Sequence, residues 1–150
     1  MNLEKKQVCI ALQGGGAHGA FTWGVLDRLL EEEAIVAEAM CGTSAGAVNA
    51  VTCAYGLHIG GPAKAKELME KLWQKVALSG SFMFKPSIFD KAYSNGDIHN
   101  SPGFMMFNAI SQFMSPYNFN PLNYNPLRDI LNDLIDFEEL HLYNKKKLFI

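Results

Sequence analysis

Between Gln7 and Gln13 the residues Val-Cys-Ile-Ala-Leu form an apolar run that stops at three glycines. A run this short, closed by turn-forming residues, predicts a strand over residues 6–13 that is buried on both faces, as in a parallel sheet. Beyond Gly19 the period changes. Phe21, Val25, Leu26, Leu29 and Leu30 fall on one helical face, and Asp27, Arg28, Glu31 and Glu32 on the other. A second strand follows from about Ile35 to Cys41, and strand, helix, strand is a βαβ unit.

From Ser44 onward Ala45, Gly46, Ala47, Ala50 and Ala54 predict a helix packed closely on the sheet, because bulkier side chains would hold it off. Gly60-Gly61-Pro62 ends it and opens the next helix, with Pro62 near the first position. That helix carries Ala65, Leu68, Met69, Leu72, Trp73 and Val76 on one face. Residues 79–124 have no such period; within them Gly103 to Met114 is rich in Met and Phe, which suits either an acyl-chain groove or irregular core packing. Asn125-Pro126 supplies an N-cap and first-turn pair for a helix with Leu127, Ile130, Leu131, Leu134 and Ile135 on one face. Leu148-Phe149-Ile150 reads as the start of a further strand, so the chain is expected to be the N-terminal part of a longer protein.

The predicted class is therefore α/β, a three-layer α/β/α arrangement around a mainly parallel sheet, incomplete at the C-terminus, with residues 1–150 forming part of a single domain. An apolar content of 49% supports one core, and a net charge of -2 without a basic stripe argues against a nucleic-acid partner. Lys145-Lys146-Lys147 reads as a solvated lead-in to the last strand. Cys9, Cys41 and Cys53 form no CxxC pair, so neither zinc nor a disulfide framework is indicated, and all three are expected to be reduced and buried. No stretch approaches the roughly 18 apolar residues of a membrane span, which leaves peripheral contact as the mode of lipid association. The short first apolar run favours the cytoplasm over Sec export, with membrane association or another export route left open.

Two motifs carry the chemistry. Gly14-Gly15-Gly16-Ala17-His18-Gly19 follows the first strand and opens a helix, a cradle of N–H groups for negative charge. Gly42-Thr43-Ser44-Ala45-Gly46 follows the second strand as a G-x-S-x-G, in which small residues two positions either side of the serine relieve crowding at a sharp turn. Neighbouring parallel strands bring both loops to one edge of the sheet. The cradle also fits a dinucleotide pyrophosphate through Gly14, Gly16 and Gly19, but the acidic residue that would bind ribose at the second strand's tip is replaced by Cys41-Gly42, and Glu38 falls inside the strand.

Together the two motifs, in this order and separation, resemble the patatin-like phospholipase family of serine lipid acyl hydrolases. Asn125-Pro126-Leu127-Arg128-Asp129 and Lys147-Leu148-Phe149-Ile150 also resemble its bacterial members. The resemblance implies that Ser44 is the nucleophile, that Gly15 and Gly16, with the N–H of Ala45, bind the oxyanion, that the substrate is a phospholipid or other acyl lipid, and that no metal or organic cofactor is needed. It also implies a Ser-Asp dyad whose Asp lies in an Asp-Gly motif. No Asp in this sequence is followed by Gly, so the partner is expected beyond residue 150. His18, where the family often has Arg or Lys, is expected to support the loop. Asp97 and His99 read as a polar turn. A nucleotide-binding domain and a non-catalytic lipid-binding fragment are the competing readings.

Overall fold

The computed structural model describes residues 5–83, 125–142 and 147–150, the side chains of 80–83 excepted. The elements are β1 (Lys6–Leu12), a 3-10 turn (Gly16–His18), α1 (Gly19–Leu29), β2 (Ile35–Gly42), the helical segment α2 (Ala45–Met83), α3 (Pro126–Leu134), α4 (Phe137–Leu142) and β3 (Lys147–Phe149). The strands form one parallel sheet in the order β1-β2-β3. The α/β class and the parallel sheet are as the hydrophobic pattern predicts. The Met/Phe-rich residues 103–114, the Asp97/His99 pair, and Lys145 with Lys146 lie outside the described residues.

The chain divides into two compact units, Met1–Val76 with Leu127–Ile150, and Ala77–Pro126. The whole sheet belongs to the first. Within it, β1 runs beside β2 from Lys6 opposite Ile35 to Leu12 opposite Gly42, with a slip after Val8 that leaves Glu38 unpaired in a bulge. The slip sets Ile10 opposite Met40 and brings the tips of the two strands level. On that face Leu12 and Met40 are buried against Leu26 of α1 and Ala50, Cys53, Ala65 and Met69 of α2, with Leu148 of β3 packed alongside. Each fully buried Leu or Met side chain contributes roughly 1.5–3 kcal/mol over its exposed state. Val51, Tyr55, Leu68 and Ile135 form a second cluster that seats the end of α3 on α2.

The break predicted at Gly60-Gly61-Pro62 divides α2 into two arms: Gly60 and Gly61 are non-helical, and Gly61 has φ 71°. The arms fold back on each other as an antiparallel pair, so closely that a Cβ on Gly56 would lie 2.3 Å from the Ala65 Cα. Lys66 on the second arm reaches Asp27 of α1 at 3.2 Å and Glu31, in the turn that follows it, at 2.7 Å. Pro126 opens α3 as expected. Asp136 caps α4 by accepting the N–H groups of Glu138 and Glu139, each at 3.0 Å.

Three sequence expectations are corrected. β1 is not buried on both faces, because the helical core meets the side bearing Ile10 and Leu12, and Gln7, Cys9 and Ala11 are exposed. For the same reason only Cys53 of the three cysteines is buried, Cys9 and Cys41 being exposed. The apolar face of α1 is narrower than its pattern: Leu26 is fully buried while Phe21 and Val25 are 78% and 44% exposed. Among the described residues, no helix is long and apolar enough to cross a membrane.

Candidate active site

Because Leu12 and Gly42 are opposite one another at the ends of β1 and β2, the segments that follow leave the sheet from the same edge. The link from β2 to α2 is only Thr43 and Ser44. Ser44 turns this corner at φ 53°, the one positive φ among described non-glycine residues. Such a backbone costs a side-chain-bearing residue about 1–2 kcal/mol and survives where the surroundings enforce it. Here they do. Gly46 N–H donates to the Thr43 carbonyl at 3.0 Å and Val48 N–H to the Ser44 carbonyl at 3.1 Å, closing the first turn of α2 directly over the corner.

The flanking glycines are required by space. A Cβ on Gly42 would lie 2.5 Å from the Gly46 carbonyl carbon, and one on Gly46 would lie 2.1 Å from the Leu12 carbonyl oxygen. The result is an exposed Ser44 whose Oγ has no hydrogen-bond partner among the described residues. Ala45 is the first residue of α2, so its N–H has no carbonyl within the helix to bind, and the positive end of the helix dipole lies beside the hydroxyl.

The glycine loop abuts this corner. A Cβ on Gly14 would lie 3.2 Å from the Ser44 Cβ and 2.9 Å from the Thr43 carbonyl oxygen. Gly15 and Gly16 follow at φ 144° and 56°, a conformation that side chains resist. The Gly15 carbonyl is held from the far side: it accepts the His18 N–H at 3.1 Å, and the His18 ring Nδ1 lies 3.0 Å away, donating when that nitrogen carries the proton. Since a trans peptide points its C=O and N–H in opposite directions, pinning this carbonyl also fixes the Gly16 N–H. His18 is thus a support of the loop, as expected from the sequence.

The structure brings Gly14, Gly15, Gly16, Gly19, Gly42, Ser44, Ala45 and Gly46 together at one sheet edge. Beside them runs an open, mainly apolar groove of about 500 Å³, floored by Ala11, Gln13 and Cys41 and walled by Phe149 and Ile150. Glu38, the acidic residue considered for ribose, is exposed at the bulge within β2 and away from the strand tip.

Sequence reasoning missed Asn49 and Trp73. Asn49 is completely buried on α2, donates from Nδ2 to the Gly19 carbonyl at 2.8 Å, and accepts at Oδ1 from Trp73 Nε1 at 2.9 Å. The available signal was weak: an Asn in mid-helix, where its short amide is disfavoured, beside alanines. Nothing in the periodicity pairs it with a tryptophan on the other arm.

Compared with known families, residues 10–148 match the patatin-like phospholipases. No match was found among curated proteins or among solved structures.

Proposed function

Because the chain belongs to the patatin-like phospholipase family, we propose that it hydrolyses acyl esters of lipids with Ser44 as nucleophile. The observation that carries this reading is the strained, exposed Ser44 at a two-residue strand-to-helix corner, with the triple-glycine loop packed against it. Family membership supports lipid acyl hydrolase activity in general; the roles of individual residues are the proposal.

In the proposed reaction Ser44 Oγ loses its proton to a base and attacks the ester carbonyl carbon. The carbonyl oxygen becomes an oxyanion, which takes hydrogen bonds from the N–H groups of Gly15, Gly16 and Ala45. The C–O bond to the alcohol breaks, the base returns its proton to the departing alkoxide, and Ser44 is left acylated. Water, deprotonated by the same base, resolves the acyl-enzyme to a carboxylic acid and regenerates the serine. We assign the base to an aspartate beyond Ile150, since no Asp in this sequence precedes a glycine. The acyl chain lies in the apolar groove lined by Ala11, Cys41 and Phe149. A phospholipid or another acyl lipid met at a membrane surface in the cytoplasm is the proposed substrate setting.

The test, made on a chain that continues past Ile150 to the assigned aspartate, is the intact mass after exposure to a fluorophosphonate, beside a Ser44→Ala control, followed by fatty-acid release from phosphatidylcholine vesicles. One adduct and turnover, both lost in the control, are expected. Vesicle binding that survives Ser44→Ala, with no adduct and no turnover in either protein, would overturn the hydrolase reading in favour of a lipid-binding one.

A further inference from the structure

We propose that Asn49 is a positioning residue for the oxyanion loop, acting with Trp73 as a clamp that fixes the loop relative to Ser44. The inference rests on the hydrolase reading above for its catalytic consequence, and on hydrogen bonds and packing alone for the clamp itself.

Asn49 has no exposed surface, so its amide must find partners inside the protein. It finds two. Nδ2 donates to the Gly19 carbonyl and Oδ1 accepts from the indole N–H of Trp73. The assignment of the amide is unambiguous: exchanging its O and N would set two donors together at Trp73 and two acceptors together at Gly19.

Gly19 is the last glycine of the loop, and its own N–H turns back to the carbonyls of Gly16 and Ala17. The hold that Asn49 has on Gly19 therefore passes into the residues proposed to bind the oxyanion. Packing enforces the same placement, because a Cβ on Gly19 would lie 2.7 Å from the Ala45 Cβ and 2.8 Å from the Trp73 ring. At the other end, Asn49 stands on the helix whose first turn closes on the Ser44 carbonyl. Nucleophile and loop are thus referred to one buried side chain, and Trp73, from the second arm of α2, stops that side chain from rotating. An oxyanion hole works through donors already in place before charge develops, so a small shift of the loop is costly to rate.

Two variants separate this role from a general contribution to folding. Asn49→Asp retains the acceptor for Trp73 but sets a carboxylate oxygen against the Gly19 carbonyl. Trp73→Phe keeps an aromatic ring but removes the donor that orients the amide together with the outer ring edge that packs on Gly19, so it opens the clamp without introducing a charge. The readouts are the rate and the end point of fluorophosphonate adduct formation, and amide hydrogen exchange across residues 14–21. For Asn49→Asp the expected result is a rate about 10²-fold slower with the same final stoichiometry, and faster exchange in the loop. Trp73→Phe is expected to slow labelling about 10-fold.

A lower end point with an unchanged rate in the labelled fraction would make Asn49 structural only and overturn the proposal. So would labelling rates and loop exchange that match the wild type in both variants. If Asn49→Asp does not fold, Trp73→Phe decides the matter by the same readouts. A wild-type chain that includes the assigned aspartate and still forms no adduct would fail the hydrolase reading instead, while faster loop exchange in the variants would still report the clamp.

Discussion

Gly46 stands directly against the backbone of Leu12, leaving no space for a side chain between α2 and the end of β1. The oxygen in the way belongs to the main chain of a strand, so it cannot swing aside as a flexible side chain would. Gly46→Ala is therefore expected to destabilise the fold by about 2–3 kcal/mol, the upper part of the range for overpacking. The urea midpoint, at unchanged slope, measures this. A midpoint equal to that of the wild type would mean that the helix can lift off the strand without cost.

The positive φ of Ser44 predicts an inversion of the usual order of helix-forming residues. Ala holds the unfolded chain to fewer conformations than Gly does, but at φ 53° it retains the steric penalty that Gly escapes. The second effect is larger, so Ser44→Gly is expected to be more stable than Ser44→Ala by about 0.5–1 kcal/mol. Both are expected to lose the fluorophosphonate adduct. Greater stability of the alanine variant in urea titration would show that the corner is not strained.

At Gly61 the constraint is conformational alone. Its φ is 71° and nothing lies within 4 Å of where a Cβ would stand. With ψ at -161° Gly61 lies outside the basin that Asn tolerates, in a region open essentially to glycine alone, so Gly61→Ala and Gly61→Asn are both expected to cost about 1–3 kcal/mol. Thermal melts of the two variants beside the wild type test this. Melting temperatures equal to that of the wild type would indicate that the break between the arms relaxes to an ordinary backbone.

Burial raises the Tyr55 hydroxyl above its ordinary pKa, and the neighbouring carboxylate of Glu139, which accepts its proton at 3.1 Å, adds to the effect. The fold therefore prefers the neutral phenol. That preference contributes in full below the ordinary tyrosine value and disappears as the pH rises through the higher folded value. Stability is expected to fall as the pH rises through the range above about 10, the ordinary tyrosine value, more steeply in the wild type than in Tyr55→Phe, which has no proton to lose there. Urea midpoints across that range provide the comparison, and parallel curves would exclude Tyr55 as the source.

What could be read from the sequence was what local sterics dictate. Three glycines after an apolar run, small residues two places either side of Ser44, and Gly-Gly-Pro between two helical patterns each allow few backbones, and the structure adopts those expected. The elements and their parallel order followed from the same rules. Side-chain exposure did not. Phe21 and Val25 have the right spacing for a buried stripe, but spacing does not say which part of an apolar face a neighbour covers. Cys9 and Ala11 belong to a run that looks buried throughout, and the alternation of the strand turns them away from the helical core. Asn49 was hidden for a different reason: its partners, Gly19 and Trp73, are brought to it by the sheet crossover and by the fold-back of α2, relationships that no single window of residues contains.

The pairing of the central strand also sets an order of events. β2 meets β1 across roughly 30 residues of chain but meets β3 across roughly 100, so the first pairing closes the shorter loop at less entropic cost. The Ser44 corner and the glycine loop both belong to the pair that closes first. During synthesis, the nucleophile and its anion cradle are expected to be assembled before β3 docks, with folding φ-values high at Ile10 and Met40 and near zero at Leu148.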